Sequence, residues 1–132
     1  MNFKKTFEFS VTVTKDDLDE FNHVNNIRYI QWIQDIAKAH WQQIATEDIY
    51  NSYFWVVRKH IVDYKASAHL YDEVKITTKF MDAQGATAKS IIEMHNNSTQ
   101  KIILKAETTW CLMATHTKRP TRVTKEIDAI LN

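Results

Sequence analysis

A single long apolar-striped segment, followed almost entirely by alternating strands, restricts this chain more than any other feature. Ile27, Ile30, Ile33, Ala37, Trp41 and Ile44 recur at steps of three and four, and Trp32, Ile36 and His40 widen the stripe. That spacing predicts one helix of about five turns, from near Asn25 to near Ala45. Before it, Phe7, Phe9, Val11 and Val13 alternate with Glu8, Ser10, Thr12 and Thr14, the period of a half-buried strand. After it, residues 54–65 read as a strand. Val74 to Met81 and Ala88 to His95 alternate in the same way, and Ile102 to Ala114 form a long last strand. A short helix is expected over about 124–131, with Val123, Ile127 and Leu131 on one side. A solitary helix must bury so wide a stripe, and a sheet is the partner this chain offers. The expectation is an α+β fold: a meander of antiparallel strands, curved around one central helix. Its other face is left to solvent or a second subunit.

The 132 residues predict a single domain, 1–132, large enough to bury roughly two-thirds of its unfolded surface. Seventeen basic and sixteen acidic side chains leave a net charge of +1, which argues against nucleic acid or an anionic membrane as partner. No apolar run approaches a membrane span. Met1-Asn2-Phe3-Lys4-Lys5 leads into the first strand without a signal-peptide core, so a cytoplasmic location is expected. The lone Cys111 agrees with a reducing compartment and, between Trp110 and Leu112, reads as a small core filler. The histidines lie at no metal-ligand spacing, so no metal is expected. Gly85 and Pro120 are the only residues of their types. The chain therefore carries no glycine-rich phosphate loop. It must turn on polar residues, at Asp82–Gly85 and Asn96–Thr99.

The chemistry concentrates in Asp17–Tyr29, where Asp17, Asp19, His23, Asn25 and Asn26 sit between the first strand and the helix. A carboxylate at the mouth of a helix N-terminus lies beside unpaired amide donors that can polarise a carbonyl. Asp17-Leu18-Asp19, with His23-Val24-Asn25-Asn26 and Tyr29, resembles the hotdog thioesterase superfamily, in its 4-hydroxybenzoyl-CoA thioesterase-like branch. Members of that branch carry Asp-x-Asp-x-x-Gly-His-Val-Asn-Asn-x-x-Tyr. The resemblance extends to Tyr64 and to Tyr71-Asp72, where relatives have Tyr-x-x-Pro and Gly-Asp. Asn22 and Tyr71 stand where relatives carry glycine, and Ser67 where they carry proline. The run is also similar to plant acyl-ACP thioesterases. Phe21 replaces an asparagine those enzymes use, and Ser67-Ala68 their Glu-Cys pair, so only the carboxylate and the helix end carry over.

The resemblance implies a hotdog-fold thioester hydrolase acting on acyl-CoA or acyl-ACP. Its thiol leaving group has a pKa of roughly 8.5 and departs with little help. Asp19 would then be nucleophile or general base, the Asn26 backbone N–H would hold the carbonyl oxygen, and His23 would support them. Asn25, Tyr29 and Ser67 are expected to contact substrate. Lys118 and Arg119, with Arg122 and Lys125 nearby, are expected to clamp the CoA phosphates. Asp17 fits better as a loop-ordering cap. No cofactor is expected, since CoA is part of the substrate. The family implies a homodimer or homotetramer with the pocket at the interface, and exposed strand edges independently call for a partner. One alternative is an enoyl-thioester hydratase or dehydratase. Those relatives space Asp and His five apart, against four for Asp19–His23 and six for Asp17–His23. The other alternative is a non-catalytic acyl-thioester-binding protein.

Overall fold

A computed structural model describes residues 6–132. The reading of Met1–Lys5 lies outside the described residues. The elements are β1 (Phe7–Thr12), a 3-10 turn (Lys15–Asp17), α1 (Asn26–Ile44), α2 (Glu47–Ser52), β2 (Tyr53–Tyr64), β3 (Glu73–Phe80), β4 (Thr87–Asn96), β5 (Ile102–Ala114), β6 (Arg119–Pro120) and α3 (Lys125–Leu131).

The central helix begins within a residue of the expected start because Asn25 caps it, its Oδ1 accepting from the Ile27 N–H at 3.0 Å. Tyr29, Trp32, Ile33, Ile36, His40 and Trp41 form its buried face. Ile27, counted in the stripe from sequence, is 76% exposed in the first turn. α2 was not foreseen: at six residues it is too short to display a period. Its cap is nonetheless orthodox, with Thr46 Oγ1 accepting from Ile49 N–H at 3.2 Å.

All strand pairings are antiparallel, in the order β1-β3-β4-β5-β2, with β6 paired to β5. The two predicted hairpins turn as expected. Gly85 adopts a φ of +62°, and Asn96 Oδ1 accepts from the Ser98 and Thr99 amides. The expected meander fails at one step. β2 does not neighbour β3 but lies along β5 at the far edge, and residues 65–72 cross the sheet to reach β3. Alternation specifies which face of a strand is buried and says nothing about its neighbour.

The sheet curls around α1, giving the hotdog arrangement. One core cluster gathers Tyr29, Trp32, Ile33 and Ile36 with Val74, Ile76, Ile92, Met94 and Leu104. The other gathers Trp41 with Ile49, Phe80, Trp110, Leu112 and, from α3, Ile127 and Leu131. Cys111 corrects the sequence reading. It is only half-buried, because Trp110 and Leu112 take the inward positions of β5 and Cys111 points to the opposite face. Among the described residues no helix is long and apolar enough to cross a membrane.

His40 lies between two rings, stacked on Phe7 at 5.1 Å and on Phe80 at 5.4 Å. Burial lowers its pKa below the ordinary 6.5. His60, whose Nδ1 lies 2.8 Å from Thr108 Oγ1, is lowered for the same reason. The unfolded chain therefore binds protons through pH 6.5 while the fold still holds both rings neutral. Stability is full above 6.5 and falls as pH drops below it, by at most about 1.4 kcal/mol per pH unit for each proton. Thermal melts at about pH 7.5 and about 5.5 should show a smaller acid-induced drop in Tm for His40→Phe than for wild type. An unchanged drop would place the sensitivity elsewhere.

Candidate active site

Two carboxylates of the loop between β1 and α1 are held in different ways. Asp17 is turned inward and is 8% exposed. Its Oδ2 accepts from the Thr14 N–H at 2.8 Å and from the Thr14 hydroxyl at 3.2 Å, and its Oδ1 pairs with Arg28 Nε at 3.1 Å. Its carbonyl accepts from the Asn25 N–H at 2.8 Å, which fastens the loop to the head of the helix.

Asp19 is only half-buried. Its Oδ1 accepts from the amides of Phe21 at 2.9 Å and His23 at 3.1 Å. Its own N–H donates to the His23 carbonyl at 2.7 Å, closing the turn. Among the described residues, no hydrogen bond engages Oδ2. Asn22 stands inside that turn at a φ of 63°, in the left-handed region where glycine is easiest and asparagine the best substitute. Tyr71 also takes a φ of 70°. Both departures from the family's glycines thus keep the glycine backbone, and Tyr71 carries a strain of roughly 1 kcal/mol to do so.

At the head of α1, the Ile27 amide is used by the Asn25 cap and the Arg28 amide by the Asn25 carbonyl. Among the described residues the Asn26 N–H has no hydrogen-bond acceptor. It is the free donor that a helix start leaves toward an incoming anion.

The crossover 65–72 lies against this loop. Val24 N–H donates to the Ala68 carbonyl at 3.1 Å, and Ala68 N–H donates to the Tyr29 hydroxyl at 2.9 Å. Ser67, exposed, is held between these anchors and Lys65 and Ala66, whose amides both donate to Ile103 O. Tyr29 is 2% exposed, so its hydroxyl serves to dock the crossover. Burial raises its pKa above the ordinary 10.0, the Ala68 amide works against this, and the nearby Tyr64, Asp72 and Asp19 raise it further. The Tyr64 ring lies 6.0 Å from that of Tyr29. The sequence reading did not place His69 in this neighbourhood. The His69 ring meets the His23 ring edge to face at 5.1 Å, and His69 Nδ1 lies 3.9 Å from Asp72 Oδ2. No spacing rule could reveal a contact made between two loops.

Lys118 and Arg119 are not brought to this site within the chain. Arg119 pairs with Ala114, whereas Tyr64 pairs with Leu104. Ten residues of β5 separate the two places, about 33 Å of strand. Near the Lys118 end, a groove of about 700 Å³ runs along α1 from Gln31 to Trp41. Phe54, Trp55, Phe80 and Trp110 wall it. Trp41 and Trp55 meet edge to face at 5.6 Å. Phe21, Ile27 and Tyr71, each more than 70% exposed, rim the Asp19 loop. Among the described residues, no group of three or more His, Cys, Asp or Glu side chains could hold a metal.

A family model described as thioesterase-like superfamily matches residues 13–131. The chain belongs to that superfamily. It is thus a thioester hydrolase by family, with the loop and the helix head inside the matched span. No curated protein sequence matches it. Among solved structures, a 1,4-dihydroxy-2-naphthoyl-CoA thioesterase from Synechocystis is similar at 14% identity, with a TM-score of 0.82 over 96% of each chain. A Thermus thermophilus thioesterase complexed with coenzyme A and Zn is similar at 20% identity, with a TM-score of 0.81 over 94% of this chain and 90% of that one. The 12:0-ACP thioesterase of Umbellularia californica is similar at 15% identity, with a TM-score of 0.79, and this thioesterase spans 48% of its length.

Proposed function

We propose that this thioesterase hydrolyses acyl thioesters of coenzyme A or of acyl carrier protein, with Asp19 as the acting carboxylate. The observation that carries the reading is the asymmetry of Asp19. Two backbone amides pin Oδ1, while Oδ2 is left uncommitted on the loop that feeds the free Asn26 N–H. The pinned oxygen fixes the carboxyl group, and the other can attack the thioester carbon or take a proton from water. The Asn26 amide, at the positive end of α1, stabilises charge as it develops on the carbonyl oxygen. The thiolate leaves without a strong general acid. Neither metal nor organic cofactor enters this scheme.

The working form is proposed to be at least a dimer formed through β2. That strand is an edge of the sheet and exposes Phe54, Val56, Ile61 and Tyr64. Two β2 strands paired antiparallel would set the Tyr53 end of one copy beside the Tyr64 end of the other. The aromatic groove and Lys118 and Arg119 of one copy would then approach the Asp19 loop of its partner. The groove would receive the acyl group, and the two cations the CoA phosphates.

The test is thiol release from CoA esters of graded chain length and one aromatic ester. Turnover of at least one ester is expected. Light scattering should give at least twice the chain mass, and Ile61→Lys should lower both the mass and the turnover. Tight ester binding with no thiol release would make this a binding protein. Full activity from a monomer would remove the shared groove from the scheme.

A further inference from the structure

The contact between His23 and His69 is used by nothing in the scheme above, and it joins two segments that sequence leaves unrelated. Their ring centroids lie 5.1 Å apart at 87°, so the electropositive edge of one ring meets the electron-rich face of the other. Both side chains are exposed. An exposed imidazole with no tertiary partner would be free to change rotamer. Here the His69 backbone is fixed beside that contact. Asp72 Oδ2 accepts from the His69 backbone N–H at 2.9 Å and lies 3.9 Å from His69 Nδ1. The Asp72 N–H in turn donates to the His69 carbonyl at 3.0 Å. At the near end, His23 holds Asp19 directly. Its N–H donates to Asp19 Oδ1 at 3.1 Å, and its carbonyl accepts from the Asp19 N–H at 2.7 Å. The backbones of the two segments are also stitched one residue along, by Val24 N–H to Ala68 O. The contacts therefore run from the Asp72 carboxylate to the His69 backbone, across the two rings, and through the His23 backbone to Asp19.

We propose that His69 is a positioning residue. With its backbone fixed by Asp72, it holds the His23 ring through the edge-to-face contact, and the His23 backbone in turn keeps the Asp19 carboxylate in its productive pose. This rests on the assignment of Asp19 made above. Among the described residues, no hydrogen bond, ion pair or ring contact joins His69 to Asp19, so its effect travels through His23. A ring contact of this kind demands that both backbones stay in register.

The proposal is tested by kinetics and by a probe that needs no turnover. On the CoA ester that wild type hydrolyses fastest, His69→Ala should lower kcat about tenfold with KM little changed, as expected when a reacting group is misplaced without loss of substrate contact. His69→Phe keeps a ring at the contact and should recover most of that loss. In a His23→Ala background, His69→Ala should cost nothing more, because the two act as one unit. Independently, the His23 Cε1–H resonance in a proton–carbon NMR spectrum should shift between wild type and His69→Ala, since the neighbouring ring current is removed. Melting temperatures should agree, given that His69 is more than half exposed. A His23 resonance that does not move overturns the brace even if no ester is hydrolysed. A resonance that moves while no ester turns over upholds the contact and condemns the thioesterase scheme instead. An equal kcat loss in the His23→Ala background, or a rise in KM alone, would make His69 a substrate contact and defeat the proposal.

Discussion

Asp19→Asn should lower kcat/KM for thioester hydrolysis about 10³-fold, some 4 kcal/mol of barrier, while Tm moves by no more than about 2 °C. The substitution separates chemistry from structure at this position. The asparagine side-chain oxygen can still accept from the Phe21 and His23 amides, so the turn keeps its two anchors. Only the uncommitted oxygen changes, into an amide nitrogen that neither attacks a carbonyl nor takes a proton. Thiol release on the best CoA ester, with a thermal melt beside it, reads both quantities. Parallel loss of activity and Tm would make Asp19 a structural residue and leave the reaction without its carboxylate.

Asp17→Ala should give the opposite signature: a loss of about 2–3 kcal/mol of stability, or roughly 10 °C in Tm. Asp17 is nearly buried, accepts two hydrogen bonds from Thr14 and pairs with Arg28. Removing it strands the Thr14 amide and the guanidinium together. The Arg28 end is 40% exposed, so water recovers part of that partner's loss, and the figure stays well below that of a fully buried pair. Activity should fall as well, because the Asp17 side chain pairs the loop with Arg28 at the head of the helix, although the Asp17 carbonyl would still join them. A differential scanning measurement showing an unchanged Tm would mean that the loop is held by its backbone alone. Together the two expected outcomes would divide the work between carboxylates two residues apart, one folding the loop and the other reacting.

The depth to which the sequence could be read follows the range of the interactions involved. The central helix, the period of every long strand and the two polar turns are short-range properties, and they stand in the structure within a residue or two of expectation. The Asp19 loop was legible for the same reason: its turn is closed by contacts within five residues of chain. α2 escaped because six residues carry no period. The inward reading of Cys111 failed because an alternating strand offers two faces, and only the packing of Trp110 and Leu112 on α1 decided between them.

Placement along the sheet, and everything dependent on it, belonged to the tertiary structure. β2 lies beside β5 and not β3, and that choice leaves Lys118 and Arg119 about a β5 length from the Asp19 loop. It also leaves the aromatic groove open beside an unpaired edge. The crossover that follows brings Tyr64, Ser67, His69 and Asp72 to the head of a helix far from them in sequence. Residue order and side-chain period encode which atoms a segment turns inward and where it bends. They carry no term for which distant strand will supply the hydrogen bonds, since every strand edge presents the same backbone groups. The turn that carries Asp19 was therefore written in thirteen consecutive residues, while the second imidazole beside it and its surroundings came into being only when the sheet closed around the helix.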